Sequence, residues 1–191
     1  DDLRWEASYL DRTERAFERD KNHASIFCWS LGNESGTGRN LAAAARWLHE
    51  RTRGRGIVHY EGDHAMEYVD IYSRMYPALE EVAAVLDDAD KHAPVAVPSH
   101  ASADVDDAAK ERIRSAPYIM CEYLHAMGTG PGGVAAYVQQ MSHPRHAGGF
   151  VWEWRDHALW RTLPDGRRAL AYGGDFGEDV HDGNFVCDGL V

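Results

Sequence analysis

The chain has 191 residues, with 20 Lys and Arg against 31 Asp and Glu, for a formal net charge of −11. That length allows one domain with a sizeable core, and its apolar, aromatic and charged fractions are ordinary for a globular protein. The acidic balance argues against nucleic acid and anionic lipid as partners, since both need clustered positive charge, and leaves a neutral partner such as a sugar unhindered.

Strand and helix patterns alternate along the chain. Up to Asp20, Leu3, Ala7, Leu10 and Phe17 recur at near-helical spacing among charged residues, which predicts an amphipathic helix. Residues 24–31 are short, apolar and rich in β-formers, the composition of a strand buried on both faces. Gly32, Gly36 and Gly38 then break the chain. Leu41, Ala45 and Leu48 give the next helix its apolar stripe, and Gly54 ends it. Residues 57–60 and 69–76 read as strands, and Pro77 suits the first turn of a helix running toward Lys91. Residues 94–106 read as loop, with a charged helix to Arg114 after them. Residues 118–121 read as a strand, 132–142 as a helix and 149–154 as a strand. Residues 159–162 and 169–172 flank Pro164-Asp165-Gly166, a hairpin signal.

This alternation predicts an α/β fold with a parallel sheet, either an open doubly wound sheet or a closed (β/α)₈ barrel. The open nucleotide-binding form needs a glycine fingerprint after its first strand. Gly32, Gly36 and Gly38 lack that spacing and carry Glu34 where a phosphate would need room. Cys28, Cys121 and Cys187 have neither the even count of a disulfide scaffold nor the spacing of a zinc site. Cys28 and Cys121 sit in apolar runs and read as core. No apolar run reaches the length of a membrane span, and the opening residues do not read as a signal peptide, so cytoplasmic is the default expectation.

Glu34 and Glu122 each follow an apolar strand, and in parallel α/β folds the carboxyl ends of strands are where active-site groups collect. Retaining glycoside hydrolysis needs two such carboxyl groups, about 5–5.5 Å apart. On position alone, each glutamate is as readily a helix-start acceptor of backbone N–H bonds. The surrounding residues decide between the two. In order along the chain stand Arg19-Asp20-Lys21-Asn22-His23, Trp29-Ser30-Leu31-Gly32-Asn33-Glu34-Ser35-Gly36, Tyr60-Glu61-Gly62 and Met75-Tyr76. Cys121-Glu122-Tyr123, His125-Ala126-Met127-Gly128, Gly148-Gly149-Phe150-Val151-Trp152 and Tyr172-Gly173-Gly174-Asp175-Phe176-Gly177 complete the set. This set, through nearly the whole chain, resembles glycoside hydrolase family 2 and within it the β-galactosidases.

The resemblance implies a (β/α)₈ barrel of which this chain supplies about strands four to eight, the first half and the flanking β-sandwich domains lying elsewhere in a longer, homo-oligomeric parent. Counting the strand around Ile26 as the fourth makes the runs at 57, 69, 118 and 149 the fifth to eighth. It further implies retaining cleavage of terminal β-D-galactosides, with Glu34 as acid/base and Glu122 as nucleophile. Asn33 is implied at the sugar 2-hydroxyl, Tyr76 on the nucleophile, His125 on galactose hydroxyls and Trp152 beneath the sugar as an apolar platform. Along a strand, Trp154 would point the same way as Trp152. Magnesium is implied at Glu34, its other protein ligands lying outside this chain. Sodium is implied at the Phe185 carbonyl and at Asp188, where the family usually has Asn. Glu61 and His64 read as solvated rather than as metal ligands. Two alternatives stand beside this reading. One is a family 2 glycosidase for a glucuronide or mannoside, against which His125-Ala126-Met127-Gly128 argues. The other is a non-catalytic carbohydrate-binding module, against which the presence of both glutamates argues.

Overall fold

The computed structural model describes residues 2–87 and 105–191. The predicted loop over 94–106 lies mostly outside them, as does the helix end near Lys91. A 3₁₀ turn, Leu3–Trp5, leads into α1 (Glu6–Asp20), of which only Phe17 is buried. After β1 (Cys28–Ser30) comes α2 (Arg39–Thr52), burying the predicted stripe of Leu41, Ala45 and Leu48. The chain continues through β2 (Ile57–His59), β3 (Tyr72–Met75), α3 (Leu79–Leu86), α4 (Asp107–Ser115) and β4 (Tyr118–Tyr123). It ends with α5 (Val134–Gln140), β5 (His146–Val151), the hairpin of β6 (Leu159–Thr162) and β7 (Arg168–Ala171), and a 3₁₀ turn at Gly183–Val186.

Several expected boundaries move, each for a local reason. The strand expected over 24–31 shrinks to Cys28–Ser30, because Ile26 N–H is committed to the His23 carbonyl in the turn that leaves α1. The strand expected from 69 starts at Tyr72, since Asp70 N–H goes sideways to Val58 O. Pro77 stands before the Ala78 cap rather than inside the first turn, and α3 stops at Leu86, where Asp87 is already extended. β4 runs on to Tyr123, so Glu122 is a residue of the strand, not of the loop after it. β5 begins and ends three residues early, at Val151. Strand alternation therefore does not pair Trp152 with Trp154. The hairpin around Pro164-Asp165-Gly166 is present, with Leu159 opposite Ala171 and Thr162 opposite Arg168.

β1 and β2 form one parallel ladder, and β3, β4 and β5 a second, so all five strands stand in chain order. This is an α/β architecture, part of a (β/α)₈ barrel, and the described residues do not close into a ring. The row is nevertheless curved. Strands lie about 4.8 Å apart, so the first and fifth would be roughly 19 Å apart in a flat sheet. Instead Phe27, just before β1, and Phe150 of β5 stack with ring centroids 6.3 Å apart and planes within 10°. Only a sheet bent toward its inner face brings end-strand side chains together this way. On the outer face, Leu48 of α2, Val82 and Val85 of α3 and Ile113 of α4 pack with Val58, Tyr118 and Met120 of the strands, all nearly inaccessible. Truncating one of these aliphatics to Ala costs about 2–5 kcal/mol.

Candidate active site

The carboxyl ends of the strands carry the candidate residues. Glu122, half-buried near the end of β4, accepts a hydrogen bond from Tyr76 Oη at 2.5 Å, and Tyr76 stands one residue past β3. The two elements are tied at this level by Tyr76 N–H to Glu122 O, 2.8 Å. Burial drives the Tyr76 phenol well above its ordinary value. The bond to Glu122 adds to this, as do the charges of Glu122, Asp188 and Glu34. The charges of all three carboxyl groups thus reach one phenol, which stays a donor across the whole neutral range. Tyr76 has φ +47°, Glu34 φ +46° and Leu124, two residues past Glu122, φ +64°. Non-glycine residues in the left-handed region are uncommon and cluster where surrounding structure dictates a side chain's direction.

Glu34 is exposed and is positioned through its backbone neighbours. The buried Tyr60 phenol accepts Ser35 N–H at 2.9 Å and donates to Gly36 O at 2.5 Å. Ser35 Oγ closes the turn on Asn33 O at 2.7 Å. Asn33 is itself exposed, next to Glu34. Gly62 leaves room for this clamp, since a Cβ there would meet the Tyr60 ring at 2.5 Å.

The third group centres on Asp188, 1 % exposed. Its Oδ2 accepts from Trp152 Nε1 at 3.2 Å and lies 3.1 Å from His125 Nε2. Met127 N–H donates to His125 Nδ1 at 3.4 Å. The His125 ring also lies edge-on to Tyr76, centroids 5.5 Å apart, and against Phe185 at 5.8 Å. Trp152 keeps 41 % of its surface exposed, so its indole face is open while its N–H is tied down. The structure therefore brings Tyr76, Glu122, His125, Trp152, Asp188 and Phe185 into one contact network, with Glu34 close enough to act on Tyr76. Sequence reasoning did not single out Tyr60 or Glu153. Tyr60 was visible only as part of Tyr60-Glu61-Gly62. Glu153 has its carboxyl pushed above the usual range by burial and by Asp188, while His157 Nε2, 2.9 Å from Oε2, pulls the other way.

The implied metals fit unequally. Asp188 Oδ1 is buried without a hydrogen-bond partner in the structure, and an orphaned carboxylate oxygen is a donor that a hard cation such as sodium takes. Phe185 lies in the adjoining 3₁₀ turn. For magnesium, Glu34 offers a single carboxylate, and among the described residues no group of three or more His, Cys, Asp or Glu is placed to hold a metal ion. No helix among them is long and apolar enough to cross a membrane.

The comparisons with known proteins agree with one another. Residues 1–191 match the family model described as glycosyl hydrolases family 2, TIM barrel domain. A beta-galactosidase of Arthrobacter sp. (strain B7) is 50% identical over 192 residues, covering 100% of this chain and 18% of that protein. The beta-galactosidase of Actinobacillus pleuropneumoniae is 40% identical over 95% of this chain and 16% of its own length. That of Kluyveromyces lactis is 39% identical over 100% of the chain and 17% of its own. The chain thus spans under a fifth of the length of these curated relatives. A solved Faecalibacterium prausnitzii beta-glucuronidase overlaps 78% of this chain and 28% of its own at a TM-score of 0.43 and 18% identity, too loose a likeness to argue from.

Proposed function

The chain belongs to glycosyl hydrolases family 2, and on that premise we propose that it is the part of a longer retaining β-galactosidase that carries both catalytic carboxyl groups. Ionised Glu122 attacks the anomeric carbon of a terminal β-galactoside. Protonated Glu34 gives its proton to the departing oxygen, then takes one from water as that water releases the sugar from Glu122. Tyr76 holds Glu122 by one oxygen, which fixes the direction of the other toward the sugar. Asn33 bonds the 2-hydroxyl, where contacts strengthen in the transition state. His125 contacts galactose hydroxyls, and the open face of Trp152 packs against the sugar's C–H surface. Asp188 and the Phe185 carbonyl would hold sodium, which supplies a fixed positive charge to a sugar hydroxyl. Magnesium at Glu34 needs ligands from outside this chain.

The observation that carries this reading is the 2.5 Å bond from Tyr76 to Glu122, with Glu34 acting on the same phenol. It supports a shared pocket for two carboxyl groups from different strands. In the complete enzyme, a slow 2-fluoro-galactoside leaves one covalent adduct, on the peptide containing Glu122. An adduct on Glu34 or Glu153 overturns the assignment.

A further inference from the structure

The two candidate carboxyl groups stand on different ladders. Glu34 follows β1, in the β1–β2 ladder, while Glu122 and its partner Tyr76 belong to β3–β4–β5. No strand ladder joins β2 to β3. The seam is crossed in backbone by Asp70 N–H to Val58 O, 2.9 Å, with Val58 N–H returning to Asp70 Oδ2 at 2.7 Å. One residue nearer the active-site end, the crossing is made by a side chain. His59 Nε2 meets Ser73 Oγ of β3 at 2.7 Å, and His59 Nδ1 meets Ser30 Oγ of β1 at 2.9 Å. Ser73 is 2 % exposed. A polar row, Ser30–His59–Ser73, thus runs across three consecutive strands.

Its position matters as much as its continuity. Ser30 is the last residue of β1 before the segment that bears Glu34, and Ser73 stands three residues before Tyr76. The segments that bear Glu34 and Tyr76 therefore leave the sheet just past residues of this row. Burial drives the His59 ring below its ordinary value, so at neutral pH it is an uncharged bridge, one nitrogen donating and the other accepting. Serine hydroxyls complement either tautomer.

We propose that His59 is a positioning residue that staples the β1–β2 ladder to β3–β4–β5 and so sets the separation of Glu34 from Glu122. It touches neither sugar nor reacting atoms. This rests on the functional reading above, because a separation of about 5–5.5 Å is what double displacement requires. A seam held here by one imidazole is where that separation would drift, and a displacement of about 1 Å can cost on the order of 10²-fold in rate.

The test uses the complete enzyme and an aryl galactoside, with His59→Ala, His59→Gln, His59→Asn and Ser73→Ala beside Glu122→Gln. Glutamine places a polar atom where Nε2 stands and keeps the link to Ser73. Asparagine matches Nδ1 and keeps only the link to Ser30, within one ladder. The expected result is a kcat lowered about 10- to 100-fold by His59→Ala, with KM changed far less. Ser73→Ala reproduces the loss, a variant combining His59→Ala with Ser73→Ala is no worse than either alone, and recovery occurs in His59→Gln but not in His59→Asn. If His59→Ala does not fold, Ser73→Ala, which removes one oxygen, carries the same comparison. Glu122→Gln dead with Ser73→Ala or His59→Ala within twofold of the parent sinks the staple and leaves the functional reading standing. Equal recovery by asparagine and glutamine also sinks it, since bulk alone would then suffice. Activity surviving in Glu122→Gln sinks both.

Discussion

Glu34 and Glu122 are held in opposite ways. Glu122 sits in a strand, opposite Met75 of β3 and with its carbonyl bonded by Tyr76 N–H, and its carboxylate is gripped directly by Tyr76 at 2.5 Å. Glu34 sits in a loop whose backbone is clamped by Tyr60 at the two residues that follow it, while its side chain is left exposed. A nucleophile has one position to keep through the reaction, and a fixed bond to its carboxylate serves that. A group that gives a proton in one step and takes one in the next gains from an anchored backbone and a free carboxyl. On the proposed reading, one pocket thus uses side-chain and main-chain positioning for two residues of one chemical type.

That contrast is open to direct attack. The largest expected effect separates the carboxyl groups themselves. In the complete enzyme, Glu122→Gln abolishes cleavage of every galactoside, on the order of 10⁴-fold or more, as removal of a nucleophile does. Glu34→Gln spares activated aryl galactosides in the first step and slows lactose by about 10²–10⁴-fold, the worth of general acid help. Pre-steady-state rates on both substrates check this, and equal first-step losses for the two leaving groups break the assignment.

Next come the two tyrosines. Tyr76→Phe removes a hydrogen bond to a charged group, worth about 1.5–3 kcal/mol, so kcat falls roughly 10- to 100-fold with little change in thermal stability. Tyr60→Phe leaves Ser35 N–H and Gly36 O without their partner, costing about 1–3 kcal/mol of stability. Its catalytic loss falls mainly on substrates that need Glu34. Thermal unfolding read beside leaving-group dependence distinguishes the two, and identical profiles erase the contrast.

The smallest effect is on pH. Burial lowers the pKa values of His59 and His146, the latter also feeling His143, below the ordinary 6.5. Above that value both are neutral folded or unfolded, and neither affects stability. As pH falls below it, the unfolded chain takes up protons that the folded chain refuses, so stability drops until the lowered folded values are reached. Apparent Tm should hold between pH 7 and 8 and decline toward pH 5, less steeply in His59→Gln. A variant slope equal to the parent's would remove His59 from that decline.

Periodicity was enough to read the helices and the chain-order row of strands, because buried stripes such as Leu41, Ala45 and Leu48 obey packing rules local to one element. Strand ends were less legible, since they depend on partners distant in sequence. Asp70 turns toward Val58 before β3 can start, and β4 outlasts its apolar run because Tyr76 pairs with Glu122. Both glutamates were visible as polar residues at apolar strand ends. The Tyr60 clamp and the His59 bridge were not, because nothing in Tyr60-Glu61-Gly62 or in a lone histidine reveals partners 24 to 29 residues back and, for His59, another 14 residues ahead.

The order of the strands bears on how the sheet is made. Each of the five parallel strands has its chain neighbours as its spatial neighbours, so loop closure during folding never skips a strand. As a ribosome releases the chain, β1 can pair once β2 emerges, and β4 and β5 extend β3 in turn, each addition costing only the entropy of one intervening segment. The Ser30–His59–Ser73 bridge cannot form until Ser73 is out, so the β1–α2–β2 unit waits for β3 before it is tied on that side. The seam stapled in the finished protein is then also the junction between two successive acts of synthesis.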